Sequence, residues 1–201
     1  MIKIYGTDHL MSKEAIEGII KDENPDVIAV ELCETRFELM VRPLLDNYLD
    51  EKPKEDQSLI GKISNIIKKK ADEENLQYGS DQINTCLYAK ANGIQLEFVD
   101  LDIMKTKELM EKIPPEETKG FMQELVKFQS QTLKEQTKNI DVNQILKEMK
   151  VKFPIAFEFL INMRNLVIIN NLLKLERNYP NKKILCFLGK GHEKIVEDAL
   201  K

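Results

Sequence analysis

Residues 2–32, IKIYGTDHLMSKEAIEGIIKDENPDVIAVEL, decide the fold. Ile2-Lys3-Ile4-Tyr5 is a short apolar run of strand type. Ser12 then opens a helical pattern with Ala15, Ile16, Ile19 and Ile20 on one face, and Asn24-Pro25-Asp26 stops it. Val27-Ile28-Ala29-Val30 follows as a second apolar run. Strand, helix and strand in this order form a βαβ unit, which implies a parallel sheet.

Two more strand-like runs lie downstream, at 95–99 and 184–188, giving about four strands in all. The expected fold is therefore α/β: a short, largely parallel central sheet flanked by helices. A helix is expected at about 34–49, carrying Phe37, Met40, Val41, Leu44, Leu45 and Tyr48, with a kink or break at Pro43. Residues 50–57 read as a charged linker, and Ile60, Ile63, Ile66 and Ile67 mark an amphipathic helix. The helix from Asp81 to Ala91 ends at Asn92-Gly93.

From about 105 to 178 there is no strand signal, and Pro114-Pro115 opens a succession of helical patterns. The chain thus reads as a single domain, 1–201, with a large helical insertion before the last strand. Such an insertion would cover the sheet, cap a site or form a homodimer.

The bulk composition removes several classes of function. A net charge of -4 with 32% charged residues supplies no cationic field for nucleic acid. Phe153 to Leu175 is long and apolar enough to test as a membrane span. Glu158, Asn162, Arg164, Asn165, Asn170, Asn171 and Lys174 interrupt it, so it reads as a buried helix with a polar stripe that could face a site. The chain opens directly on a strand without a leader pattern, and the expected location is cytoplasmic. Cys33, Cys86 and Cys186 are odd in number and lie in apolar contexts, which suits reduced, buried thiols.

The two histidines share one setting. Each sits three residues after a glycine and just beyond an apolar run, in Gly6-Thr7-Asp8-His9 and Gly189-Lys190-Gly191-His192. In open α/β sheets ligands gather at the carboxyl ends of the strands. Residues in those positions are Asp8 and His9 after the first strand, Glu31 after the second, Asp100 and Asp102 after the third, and His192 and Glu193 after the fourth. Two imidazoles with one or two carboxylates suit a divalent ion that activates water, and either histidine could instead be a general base. Asp8 and Asp102 read equally well as turn or cap residues.

Glu31 is different, because a carboxylate ending an apolar strand is costly unless it is paired or binds something. Arg36 and Arg177 are its candidate ion partners, or hold a substrate carboxylate. Gly189-Lys190-Gly191 lacks the third glycine and the later acidic residue of a dinucleotide fingerprint. Neither a P-loop nor G-x-S-x-G occurs.

Gly6-Thr7-Asp8-His9-Leu10, followed by Pro25-Asp26-Val27-Ile28-Ala29-Val30-Glu31-Leu32-Cys33-Glu34-Thr35-Arg36, resembles the opening of the TraB/PrgY (pheromone-shutdown) family. Gly79-Ser80-Asp81 and Val99-Asp100-Leu101-Asp102-Ile103 resemble its middle. Leu175-Glu176-Arg177-Asn178 and Leu188-Gly189-Lys190-Gly191-His192 resemble its end, so the likeness covers nearly the whole chain. Asp81 stands where that pattern has Glu, and Leu101 where it has an arginine. The wider likeness is to the superfamily of Tiki proteases, erythromycin esterases and ChaN haem-binding lipoproteins.

The resemblance implies an active-site set of His9, Glu31, Arg177 and His192. The resulting expectation is a metal-dependent hydrolase of peptidase type. His9, His192 and Glu31 would bind a divalent metal (Zn, Mn or Co), Glu31 doubling as a base; Arg177 would orient substrate, and Asp100 and Asp81 would support them. The rival expectation is a non-catalytic protein that holds a peptide or small molecule.

Overall fold

A computed structural model of the chain describes residues 1–7, 11–46, 79–134 and 141–201, together with the single positions 65, 69 and 72. Asp8, His9, the linker at 50–57 and the helix expected around Ile60 lie outside the described residues. The backbone divides into two compact units. The first comprises 1–53, 79–103 and 164–201, and the second 54–78 and 104–163.

The first unit holds the sheet. Its strands are β1 (Ile2–Thr7), β2 (Val27–Val30), β3 (Gln95–Phe98) and β4 (Ile184–Gly189), in spatial order β1-β4-β2-β3. All three pairings are parallel. The α/β fold with a four-stranded parallel sheet flanked by helices is therefore as the sequence implies. The last strand enters the middle of the sheet, where β4 is buried along its whole length.

Because side chains alternate along a strand, β2 and β4 feed two separate cores. Ile28, Val30, Leu185 and Phe187 point to the first, where they meet Ile16 and Ile20 of α1 (Lys13–Glu23). Phe37 of α2 (Glu34–Met40) and Ile83, Cys86 and Ala89 of α4 (Ser80–Ala91) complete that layer. Val27, Ala29, Ile184, Cys186 and Leu188 point to the second. There they pack on Ile168, Leu172 and Leu175 of α9 (Met163–Asn178) and Val196 of α10 (Lys190–Ala199).

Local chemistry sets the ends of these helices. Ser12 caps α1 by accepting from the Ala15 N–H, and Asn24 closes it in the left-handed region at φ 45°. The break expected at Pro43 falls at Val41, between α2 and α3 (Arg42–Leu45), with the proline in the first turn of α3. Gly93 turns the chain into β3 at φ 65°.

The second unit carries α6 (Pro115–Lys134), α7 (Val142–Lys152) and the short α8 (Pro154–Phe157), and α5 (Ile103–Met110) leads into it. Met110, Ile113, Phe121, Ala156 and Leu160 form its core. Glu117 accepts hydrogen bonds from the Ile155 and Ala156 N–H groups at 3.0 Å each, satisfying donors that α8 leaves open. A single π-helical turn, Glu158–Asn162, joins α8 to α9. Residues 105–178 thus hold helices and, among the described residues, no strand. No described helix is long and apolar enough to cross a membrane.

Candidate functional site

Helices leaving β1 and β2 begin on one face of the sheet, whereas α10, leaving β4, packs on the other. The carboxyl end of β4 therefore lies at a topological switch point, the usual ligand position in an open α/β sheet. Thr7, ending β1, is in register with Gly189, ending β4. Glu31 follows β2 directly, and its N–H still bonds the Phe187 carbonyl. Asp100 comes two residues after β3.

Glu31 is 3% exposed, and both of its carboxylate oxygens are engaged. Oε2 accepts the Gly189 N–H at 2.5 Å, and Oε1 accepts from Arg164 at 2.5 Å. The same guanidinium grips Asp100 through two bonds, Nε to Oδ1 at 3.0 Å and a terminal nitrogen to Oδ2 at 2.7 Å. Such fork-on-fork pairing is the strong form of charge-assisted hydrogen bond. Burial pulls the Arg164 guanidinium down, but Asp100 and Glu31 more than reverse this and hold it above its ordinary value.

Arg36 stands further off, 3.6 Å from Asp100 and 3.3 Å from the Gln82 side-chain carbonyl. Gln82 in turn donates to the Glu31 backbone carbonyl at 2.8 Å. Sequence reasoning offered Arg36 and Arg177 as partners for Glu31, yet the partner is Arg164. Arg177 is exposed, on the same helix but thirteen residues further on, about 20 Å along the axis at 1.5 Å per residue. The structure does not bring it to the group.

His192 is 5% exposed in the first turn of α10. Its Nδ1 lies 2.7 Å from Asn165 Oδ1, which fixes the ring with a proton on Nδ1 and directs Nε2 inward. Nε2 is 3.6 Å from Glu31 Oε1. Arg164 and Asn165, consecutive on α9, thus hold the carboxylates and the imidazole respectively.

The first Gly-x-x-His turn is tied to the second through Glu193. Its carboxylate accepts the Gly6 N–H at 3.0 Å and lies where a side chain on residue 6 would begin: a Cβ there would meet Glu193 Oε2 at 2.1 Å. A side chain on residue 6 would therefore push the flexible end of Glu193 off the Gly6 N–H, an effect independent of any role for His9. Thr7 donates to the buried carboxylate of Asp81, so the carboxylates expected at the site divide. Asp100 joins Glu31 through Arg164, while Asp81 sits under the end of β1. Asp102 immediately precedes α5 and accepts the Thr35 hydroxyl at 3.1 Å.

A divalent ion with bonds of about 2.1 Å and a tetrahedral angle separates two donor atoms by about 3.4 Å. At 3.6 Å the His192 Nε2 and Glu31 Oε1 pair is close to that spacing, with Oε1 also accepting from Arg164. The donor chemistry fits a metal to this extent. Among the described residues no group of three or more His, Cys, Asp or Glu side chains is placed to hold one. The cysteines supply neither ligand nor nucleophile: all three are free and buried, and burial pushes the Cys86 thiol up to about 12.

Sequence reasoning missed Arg164 and Asn165 as site residues. The available signal was the polar stripe on the apolar helix, which includes both residues and could face a site, although neither was singled out. Over its whole length the chain is 25% identical to an uncharacterized protein of Methanocaldococcus jannaschii, of which the match covers 53%. The chain thus spans about half the length of that curated relative. No family model matches it.

Proposed function

We propose that the strand-end cluster is the active site of a metal-dependent hydrolase of peptidase type, acting on an amide or ester. The observation that carries this reading is the buried His192–Glu31 pair at 3.6 Å, with the outer imidazole nitrogen held by Asn165. Nε2 of His192 and Oε1 of Glu31 would hold the cation, and His9, outside the described residues, would complete the set. When bound, such an ion supplies Lewis acidity toward a carbonyl or water. Asn165 orients the His192 ring, and Arg164 holds the Glu31 and Asp100 carboxylates in place. Likeness to the TraB/PrgY pattern at both Gly-x-x-His turns supports the same assignment.

The test compares metal-loaded wild type with His9→Ala and His192→Ala for bound Zn, Mn or Co and for hydrolysis of a peptide mixture. Loss of metal and activity in both variants is expected. If both leave metal content and hydrolysis untouched, the reading fails.

One observation favours the rival, a protein that holds a peptide or small molecule without cutting it. Both oxygens of Glu31 already accept hydrogen bonds, which reduces its reach as a base. Stoichiometric binding with the ligand recovered intact after incubation with metal would select this alternative. Three free, buried thiols suit the reducing cytoplasm we assign to the protein. Homodimerisation through the helical segment is the accompanying proposal, tested by sedimentation with and without residues 115–178.

A further inference from the structure

Asn165 is 2% exposed and its side-chain amide is used at one end only. Its oxygen is pinned at 2.7 Å to His192 Nδ1, whereas its nitrogen, Nδ2, has no hydrogen-bond partner. A buried amide N–H without an acceptor costs about 1–3 kcal/mol, so a group left in this state calls for a reason. Turning the amide would place its nitrogen, instead of its oxygen, against His192 Nδ1. With the oxygen on the ring, the orphan donor sits on the Nδ1 side of His192. Among the described residues, and apart from its own helix, no heavy atom lies within 4 Å of the place a side chain on Gly191, next to His192, would start.

We infer that Asn165 Nδ2 is a ligand-binding donor: it receives an oxygen of the bound molecule, a planar carboxylate or carbonyl oxygen, while Oδ1 positions His192. The inference rests on the His192–Glu31 pair being the ligand site. It adds to the hydrolase reading the group that recognises the acyl oxygen of the substrate, and on the rival reading the same donor recognises a carboxylate or peptide carbonyl of the held ligand. The charges of Arg164, the preceding residue, and of Arg36 are balanced by Glu31 and Asp100, so the donor suits a neutral or an anionic oxygen, and being already in place it needs no rearrangement to meet it.

The two ends of the amide separate cleanly by substitution. Asn165→Asp keeps an acceptor for His192 Nδ1 but removes the donor, and Asn165→Leu removes both. The experiment titrates acetate, and in a second arm neutral acetamide, into the full 15N-labelled chain, following the Asn165 side-chain amide and the His192 ring resonances. The expected result is that acetate shifts both sets of signals in wild type. N165D should bind acetate at least about tenfold more weakly with its His192 signals retained, and N165L should also lose the His192 signature. Tighter binding of acetate than acetamide identifies a carboxylate ligand, and equal binding a carbonyl.

Acetate that moves His192 but not the Asn165 amide, or that binds N165D as well as wild type, overturns the inference and leaves the hydrolase reading standing. Acetate that moves neither also overturns it. Should N165D fail to fold, the response of the wild-type Asn165 amide decides alone.

Discussion

The two ends of the same sheet carry the same kinds of charged residue in opposite surroundings. At the amino end, Lys3, Lys182 and Lys183 meet Glu23 and Asp26 in exposed pairs at 2.5–3.1 Å. At the carboxyl end, Arg164 meets Glu31 and Asp100, both with side chains only 3% exposed. Water screens the first set and competes for its partners, so such pairs add little to stability. The second set has left water and depends on its own geometry, a costly arrangement that soluble domains retain mainly where the site has work to perform. The comparison separates charges that face water from charges enclosed at the candidate site.

Removing the cation from the dry end is the sharpest way to break that contrast. Arg164→Met should destabilise the chain by about 3–5 kcal/mol in urea unfolding, because two buried carboxylates lose their partner. Adding Glu31→Gln should recover part of the loss through a positive coupling in the double-mutant cycle. An R164M variant as stable as wild type would show that the cluster is wetter than its geometry implies.

Gly6→Ala comes next, at about 1–2 kcal/mol, since its methyl displaces the Glu193 carboxylate and the Gly6 N–H loses its acceptor. In a Glu193→Ala background the same substitution should cost far less, and an unchanged cost would point to backbone strain instead.

The amino end should respond to acid, with little change around neutrality. Hydrogen bonds from Lys3 and Lys183 hold the Glu23 carboxyl below its ordinary 4.5, and the Lys183 N–H with the Lys182 ammonium holds Asp26 below 3.8. Because both are lowered, their contribution is in place above those ordinary values and is lost as pH falls through the lower folded ones. Thermal melts of wild type and Lys3→Ala should therefore converge in acid, as Glu23 becomes protonated in the folded state. The smallest effect is expected for Lys182→Ala, whose melting temperature at pH 7 should match wild type within error.

Legibility in the sequence followed the same division. Short apolar runs, Ser12, Asn24 and Gly93 are local signals, and they were enough to place four strands and most described helices. Glu31 stood out because its expense is visible without knowing its neighbours. Arg164 and Asn165 were not assigned to the site, since their roles depend on partners 133 and 27 residues away that meet only when α9 crosses the sheet. Arg177 was offered as an ion partner for Glu31 and, by likeness, as a site residue. The helix carrying it starts at the cluster and runs away from it, a direction that no spacing rule encodes.

The order β1-β4-β2-β3 also bears on how the chain reaches its native state. Among the described strands β1 pairs only with β4, and β4 is also the neighbour of β2. A nascent chain emerging from the ribosome must therefore carry its first strand unpaired until residue 184 and beyond are free. Pairing of Ile2 with Ile184 joins residues 182 positions apart, so completion of the sheet is a late, slow event. The geometry around His192 and Glu31 is created in that same step, and any molecule that recognises it recognises only finished protein.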